Sequence, residues 1–112
     1  MKETVEELYN LLKTIAPTYP DRAPENTENP VIVYSVVSNT GNPALCGMLT
    51  IDYVNLYMQI DYYTGNYGES LQKALEIKQV IEVLKPMILS ETFSKEDGDY
   101  RVRLDIKIRK KG

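Results

Sequence analysis

Residues 101–109 alternate without a break: Val102, Leu104, Ile106 and Ile108 are apolar, while Arg101, Arg103, Asp105, Lys107 and Arg109 are charged. A period of two belongs to a β-strand and does not fit the 3.6-residue repeat of a helix. It also sets how the strand is used. One side is dry and the other meets water, as in an antiparallel sheet covered on a single face. The rest of the chain must therefore supply a layer for that dry face.

Two amphipathic segments can supply it. Val5, Leu8, Leu12 and Ile15 recur at spacings of three and four and predict a helix. Thr4 and Glu7 have the spacing of a capping box at its start, and Pro17 ends it. Asn66, with Glu69 three residues on, predicts the cap of a second helix that runs to Leu84 and is stopped by Pro86. Its apolar residues (Tyr67, Leu71, Ala74, Leu75, Ile77, Val80, Ile81, Leu84) spread over more than one face. That excess implies packing between the sheet and the first helix, or a subunit contact.

Three further strands accompany the alternating one. Val31–Val37 is β-branched and aromatic, and Ser38–Pro43 has the composition of a turn. A long strand follows from about Met48 to Tyr63. Its apolar positions change parity, with Leu49, Ile51 and Tyr53 odd and Val54, Leu56, Met58, Ile60 and Tyr62 even. One inserted residue near Tyr53–Val54 produces such a switch, so a bulge is expected there, or else two shorter strands. Ile88–Lys95 and Asp99–Lys110 form a hairpin around Asp97-Gly98. The order α-β-β-α-β-β predicts an α+β fold over residues 1–112, with an antiparallel sheet of about four strands and two helices on one face.

Residues 16–30 hold four of the six prolines and no apolar period. They read as a surface connection wrapped over the sheet edge, or as a segment that orders against a partner.

The residue inventory then narrows the chemistry. The 112 residues include no histidine, which removes Ser–His and Cys–His nucleophile pairs, His-ligated zinc and imidazole proton relays. The single cysteine, Cys46, allows no internal disulfide and reads as an inert thiol rather than a nucleophile. Glycines 41, 47, 65 and 68 form no phosphate-binding pattern. Glu96, Asp97 and Asp99 lack the spacing of a calcium loop and suit a polar hairpin turn. No catalytic residue, metal site or cofactor is expected. The early acidic residues do not look like a secretory leader, and no run approaches the ~20 apolar residues of a membrane span. A soluble protein of a reducing cytoplasm is the expectation.

The formal charge of −3 hides an asymmetry. Residues 1–100 carry seven basic and fifteen acidic side chains, whereas residues 101–112 carry six basic and one acidic. An acidic body with a basic final strand suits head-to-tail docking of subunits. A solvated strand face that protects an edge explains it too. Nucleic-acid binding fits poorly, because the basic strand has no interleaved aromatics. Tyr53, Tyr57, Tyr62, Tyr63 and Tyr67 crowd into fifteen residues. In the predicted register Tyr57 and Tyr63 point with Asn55, Gln59 and Asp61, away from the apolar set. Outward tyrosines suit an interface, although sheet propensity also selects them. Tyr57, Tyr63, Arg101, Arg103, Lys107 and Arg109 are the candidate interface residues.

Several segments together carry a family resemblance: Asn29-Pro30-Val31-Ile32-Val33-Tyr34, Val54 to Tyr63 with its Ile60-Asp61-Tyr62 exit, the helix opening at Tyr67, and Tyr100 to Ile106 within a closing hairpin. In order and spacing the chain resembles the tail-completion, or tail-terminator, proteins of long-tailed bacteriophages and prophages. The resemblance implies a structural role without catalysis. It implies a homo-oligomeric ring, typically a hexamer, that caps the tail tube, stops its growth and presents a face to the head. The implied partners are further copies of the chain, the tail-tube protein and a head-completion protein, with DNA passing through the ring and no membrane involved. The implied location is the host cytoplasm during assembly and then the virion tail. A neighbouring head–tail connector component and a small bacterial binding module are the alternative readings.

Overall fold

The alternating stretch becomes the strand β5 (Asp99–Lys111) and lies inside the sheet, between β3 (Tyr53–Thr64) and β4 (Met87–Glu96). The computed structural model describes residues 2–25, 27–41 and 53–111. Its other elements are α1 (Lys2–Leu12), β1 (Thr18–Pro20), β2 (Val31–Gly41), α2 (Tyr67–Ile81) and a 3-10 turn at Glu82–Leu84. The sheet order is β1-β2-β3-β5-β4. β4 and β5 form the expected hairpin, and β5 returns between β3 and β4, so α2 is the crossover of a split β–α–β unit. Asp97 and Gly98 both take positive φ, 50° and 85°, as a two-residue turn matched to sheet twist requires.

The core follows from the shared parity of β3 and β5. Leu56 faces Ile108, Met58 faces Ile106, Ile60 faces Leu104 and Tyr62 faces Val102. All eight are buried. Each such side chain contributes about 1.5–3 kcal/mol relative to exposure. Leu8 and Leu12 of α1 and Ala74, Ile77 and Ile81 of α2 close the same cluster from above. α2 lies over β3 and β5, α1 packs on α2, and the Tyr9 ring meets Tyr34 of β2 at 6.1 Å.

Residues 38–41, which have the composition of a turn, instead continue β2 to Gly41 opposite β3, and four further expectations need adjustment. The sheet has five strands and is mixed, because the proline-rich segment contributes β1, paired in parallel with β2 over Ile32–Tyr34. A three-residue strand is too short to show a period, and prolines are tolerated on such an edge. α1 begins ahead of Thr4, which is buried inside the helix one turn before Leu8, so Thr4 and Glu7 do not cap it. Its regular turns also stop at Leu12, before Pro17. Finally, β3 pairs with β5 without interruption from Tyr53 to Thr64, so no bulge interrupts it there. The bulges fall instead at Val36/Ser38 in β2 and Ile88/Ser90 in β4. Residues 48–52 and Cys46 lie outside the described residues.

The molecule measures 52 × 25 × 23 Å, and its 15.4 Å radius of gyration exceeds the roughly 13 Å of a compact chain this long. Strand length is the cause. The 13 residues of β5 span roughly 40 Å, against roughly 22 Å for the 15 of α2.

Two side chains fasten the start of α2. The Asn66 carboxamide oxygen accepts from the Glu69 amide at 2.9 Å, and the buried Tyr62 phenol donates to Glu69 Oε1 at 2.8 Å. Asn66→Ala should lower stability by about 1 kcal/mol in denaturant unfolding. Burial, and then the Glu69 carboxylate, hold the Tyr62 phenol well above the usual tyrosine range. The folded protein keeps that proton where the unfolded chain releases it, from about pH 10. This contribution is therefore complete below about pH 10 and lost as pH rises further. Tyr62→Phe should cost about 1 kcal/mol at pH 8 and give a shallower alkaline decline in melting temperature.

Candidate protein interface

The unpaired parity of β3 and β5 builds the face opposite the helices. Across it Tyr57 stands beside Lys107, Gln59 beside Asp105, Asp61 beside Arg103 and Tyr63 beside Arg101, with Asn55 beside Arg109. All six candidate interface residues therefore share one sheet face. Tyr63, Arg101 and Arg103 occupy one part of it, and Tyr57, Lys107 and Arg109 the other.

Arg103 is committed within the chain. Its Nε donates to Asp61 Oδ1 at 2.8 Å and its Nη2 to Oδ2 at 3.4 Å. With its amide oxygen turned to the guanidinium, Gln59 accepts from Nη1 at 3.0 Å. Asp61 is buried, and its hydrogen bond holds the Arg103 guanidinium above its ordinary pKa. Asp105 accepts from the Ser90 hydroxyl at 2.6 Å, which ties β5 to β4. The basic strand thus neutralises part of the acidic body internally. Arg109 is exposed and Lys107 half-buried.

The proline-rich segment crosses this face at the β2 side. Asp21 to Pro24 and Thr27 form one wall of an open cavity of about 530 Å³, and Val33, Ser35, Asp61, Tyr63 and Arg103 lie on the other side. Val31 is buried beneath this wrap. The segment is a cover for part of a sheet face as well as a connection.

A second surface lies between α2 and β4. Tyr67, Leu71 and Leu75 form one stripe on α2 at spacings of four and are exposed, so internal packing does not absorb the helix's apolar excess. Ile88 and Phe93 of β4 pair with the buried Ile106 and Val102 and face the same side, yet remain exposed. The Tyr67 and Tyr100 rings meet at 5.5 Å, with Lys95 Nζ 5.4 Å from the Tyr100 centroid. Lys78 Nζ bridges to Glu91 at 2.9 Å. These exposed residues of β4 went unmarked in the sequence. Their only sequence signal is Met87-Ile88-Leu89, an apolar run that breaks alternation at the start of a strand.

Among the described residues no group of three or more His, Cys, Asp or Glu side chains could hold a metal ion, and no helix is long and apolar enough to cross a membrane.

A small α+β protein with a charged, aromatic sheet face and an apolar flank has the surfaces of an assembly component. The chain belongs to the family described as tail completion protein gp17, whose family model matches residues 3–111. This is a family of structural proteins of the bacteriophage tail. Among curated protein sequences none matches. A similar solved structure is that of the bacteriophage SPP1 gp17 protein, with 16% identity, a TM-score of 0.42, and coverage of 92% of this chain and 85% of that one.

The environments of Arg103 and Lys107 separate experimentally. Arg103→Met strands the buried Asp61 carboxylate and should destabilise the protein by about 2 kcal/mol. Lys107→Met on the same strand should stay within about 0.5 kcal/mol of the parent in the same denaturant titration.

Proposed function

We propose that the protein acts as a tail terminator: copies assemble into a hexameric ring that caps the finished tail tube, halts its growth and joins it to the head. The carrying observation is the family match across residues 3–111. The role is structural, with no catalytic step and no cofactor. Its partners are further copies of the chain, the tail-tube protein and a head-completion protein. The ring leaves a passage for DNA without specific nucleic-acid contacts. Assembly takes place in the host cytoplasm, and the product resides in the virion tail.

The surfaces support this reading. The outer face of β3 and β5 is firm, because β3 lies between β2 and β5, and β5 is held by β3 along its length and by β4 as far as Lys107. Tyr57, Tyr63, Arg101, Arg103, Lys107 and Arg109 give that face large rings and cations, a combination suited to a protein partner. We assign it to the tail-tube or head-completion protein.

Light scattering over a concentration series, with negative-stain imaging, tests the reading. Discrete rings are expected, alone or with tail-tube protein added, and a strict monomer under both conditions would exclude a terminator role. Reversing Lys107 to Glu tests the docking face without disturbing the Asp61–Arg103 pair. Binding to the tube or head partner should weaken by roughly tenfold, or about 1.4 kcal/mol, with the melting temperature retained.

A further inference from the structure

Two exposed apolar clusters stand at opposite edges of the sheet. Val36 and Val37 of β2 are 42% and 61% exposed, and Met87, Ile88 and Leu89 of β4 are 55%, 39% and 48% exposed. The cross-strand register puts them at the same height. Val36 faces Met58, Met58 faces Ile106, and Ile106 faces Ile88. This is one row across four strands, with buried residues in the middle and exposed ones at both ends.

Both ends are also open in the main chain. β1 pairs with β2 only from Ile32 to Tyr34. Among the described residues no strand pairs with β2 beyond Tyr34 on that side, or with the outer side of β4. Unpaired amides and carbonyls along a strand call for another strand. The two open segments, Ser35–Ser38 and Met87–Ser90, contain no charged residue, so pairing them desolvates no ion. β2 and β4 also run in opposite directions through the sheet, which makes a joint between them antiparallel.

We propose that β4 of one copy pairs with β2 of the next, Ile88 of one meeting Val36 of its neighbour, and that this contact links subunits into the ring. The inference rests on the ring reading above and names the surfaces that make it. It is heterologous, since two different edges of the chain meet, and heterologous contacts produce either rings or filaments. Equal heights mean that each added copy turns without climbing along the strands, which favours closure. The two bulges, at Val36/Ser38 and Ile88/Ser90, flank the joint. They keep the ladder short and add local twist, so side chains carry most of the contact. Because α1 overlies the β2 side of its own sheet, the same placement sets a neighbour's α1 beside Leu71 and Leu75.

Val37→Lys and Leu89→Lys test the joint from its two sides. Each position is exposed, so each variant should melt near the parent temperature, yet each alone should lose the rings. Mixed at equal amounts, the two variants should form a one-to-one pair and nothing larger. Val37→Lys keeps a working β4 edge and Leu89→Lys a working β2 edge, and each blocks the other end. Rings that survive both substitutions would overturn the joint while leaving the ring reading intact. Loss in Leu89→Lys alone would overturn it in favour of a two-fold β4 contact, and intact rings that no longer bind tail-tube protein would assign the edge to that partner. Wild-type open chains, capped to pairs by the mixture, would support the joint and overturn the ring. Wild-type monomers at every concentration, with and without tail-tube protein, would overturn both. Should either variant melt early, the chain carrying Val37→Glu with Leu89→Lys decides. Recovered rings support the joint, and monomers reject it.

Discussion

From Tyr53 beside Lys111 to Thr64 beside Tyr100, every residue of β3 faces one of β5, and no bulge shifts the register. A slip of one residue would turn Leu104, Ile106 and Ile108 into water and bring Arg103, Asp105 and Lys107 under the helices. The energetic difference between those two registers is large, because it exchanges a dry core for buried charge. That single constraint positions everything else. It puts the Tyr62 phenol below Glu69, fixing the start of α2, and sets Asp61 opposite Arg103 on the far face. Core and outer surface are two consequences of one alignment.

The same constraint explains what was legible in the sequence. β5, the β4–β5 hairpin and both helices could be read because each carries a sustained local period or a specific turn or cap signal. Asn66 and Asp97-Gly98 perform the jobs their residue types suggest. β1 could not be read, since three residues carry no period and its existence depends on β2 lying alongside. Thr4 misled for a related reason. A Thr three residues before Glu has the capping spacing whether or not the helix begins there, and here Thr4 lies on the buried side with Leu8. The candidate interface residues were legible as a face, because parity alone puts them together. Their engagement was not: the partner of Arg103 is Asp61, 42 residues away, a pairing that only the register of β3 against β5 supplies.

Charge changes meaning along this path. As a linear pattern, a basic C-terminal strand after an acidic body suggests two opposed patches. Folding places part of that basic strand against acids of its own chain, with Arg103 on Asp61. Those contacts fix the sheet from its outer side and leave a face of mixed sign around Tyr57 and Tyr63. Such a face suits specific orientation of a partner better than long-range attraction, since mixed charges largely cancel beyond a Debye length of about 8 Å.

The unpaired apolar edges have their origin in an imbalance between layers. Two helices can cover about two strands, and α2 lies over β3 and β5 while α1 packs beside it. Five strands are present. The proline-rich segment covers part of the opposite face at β2, and β1 protects only the first residues of that strand's edge. Nothing equivalent covers β4 among the described residues, although Ile88 and Phe93 project to the dry side of the sheet. A monomer under selection to remain alone would place charges or a further helix there. Retaining apolar side chains on an edge strand, level with a second apolar edge across the same sheet, is what a subunit needs when its missing neighbour is another copy of itself.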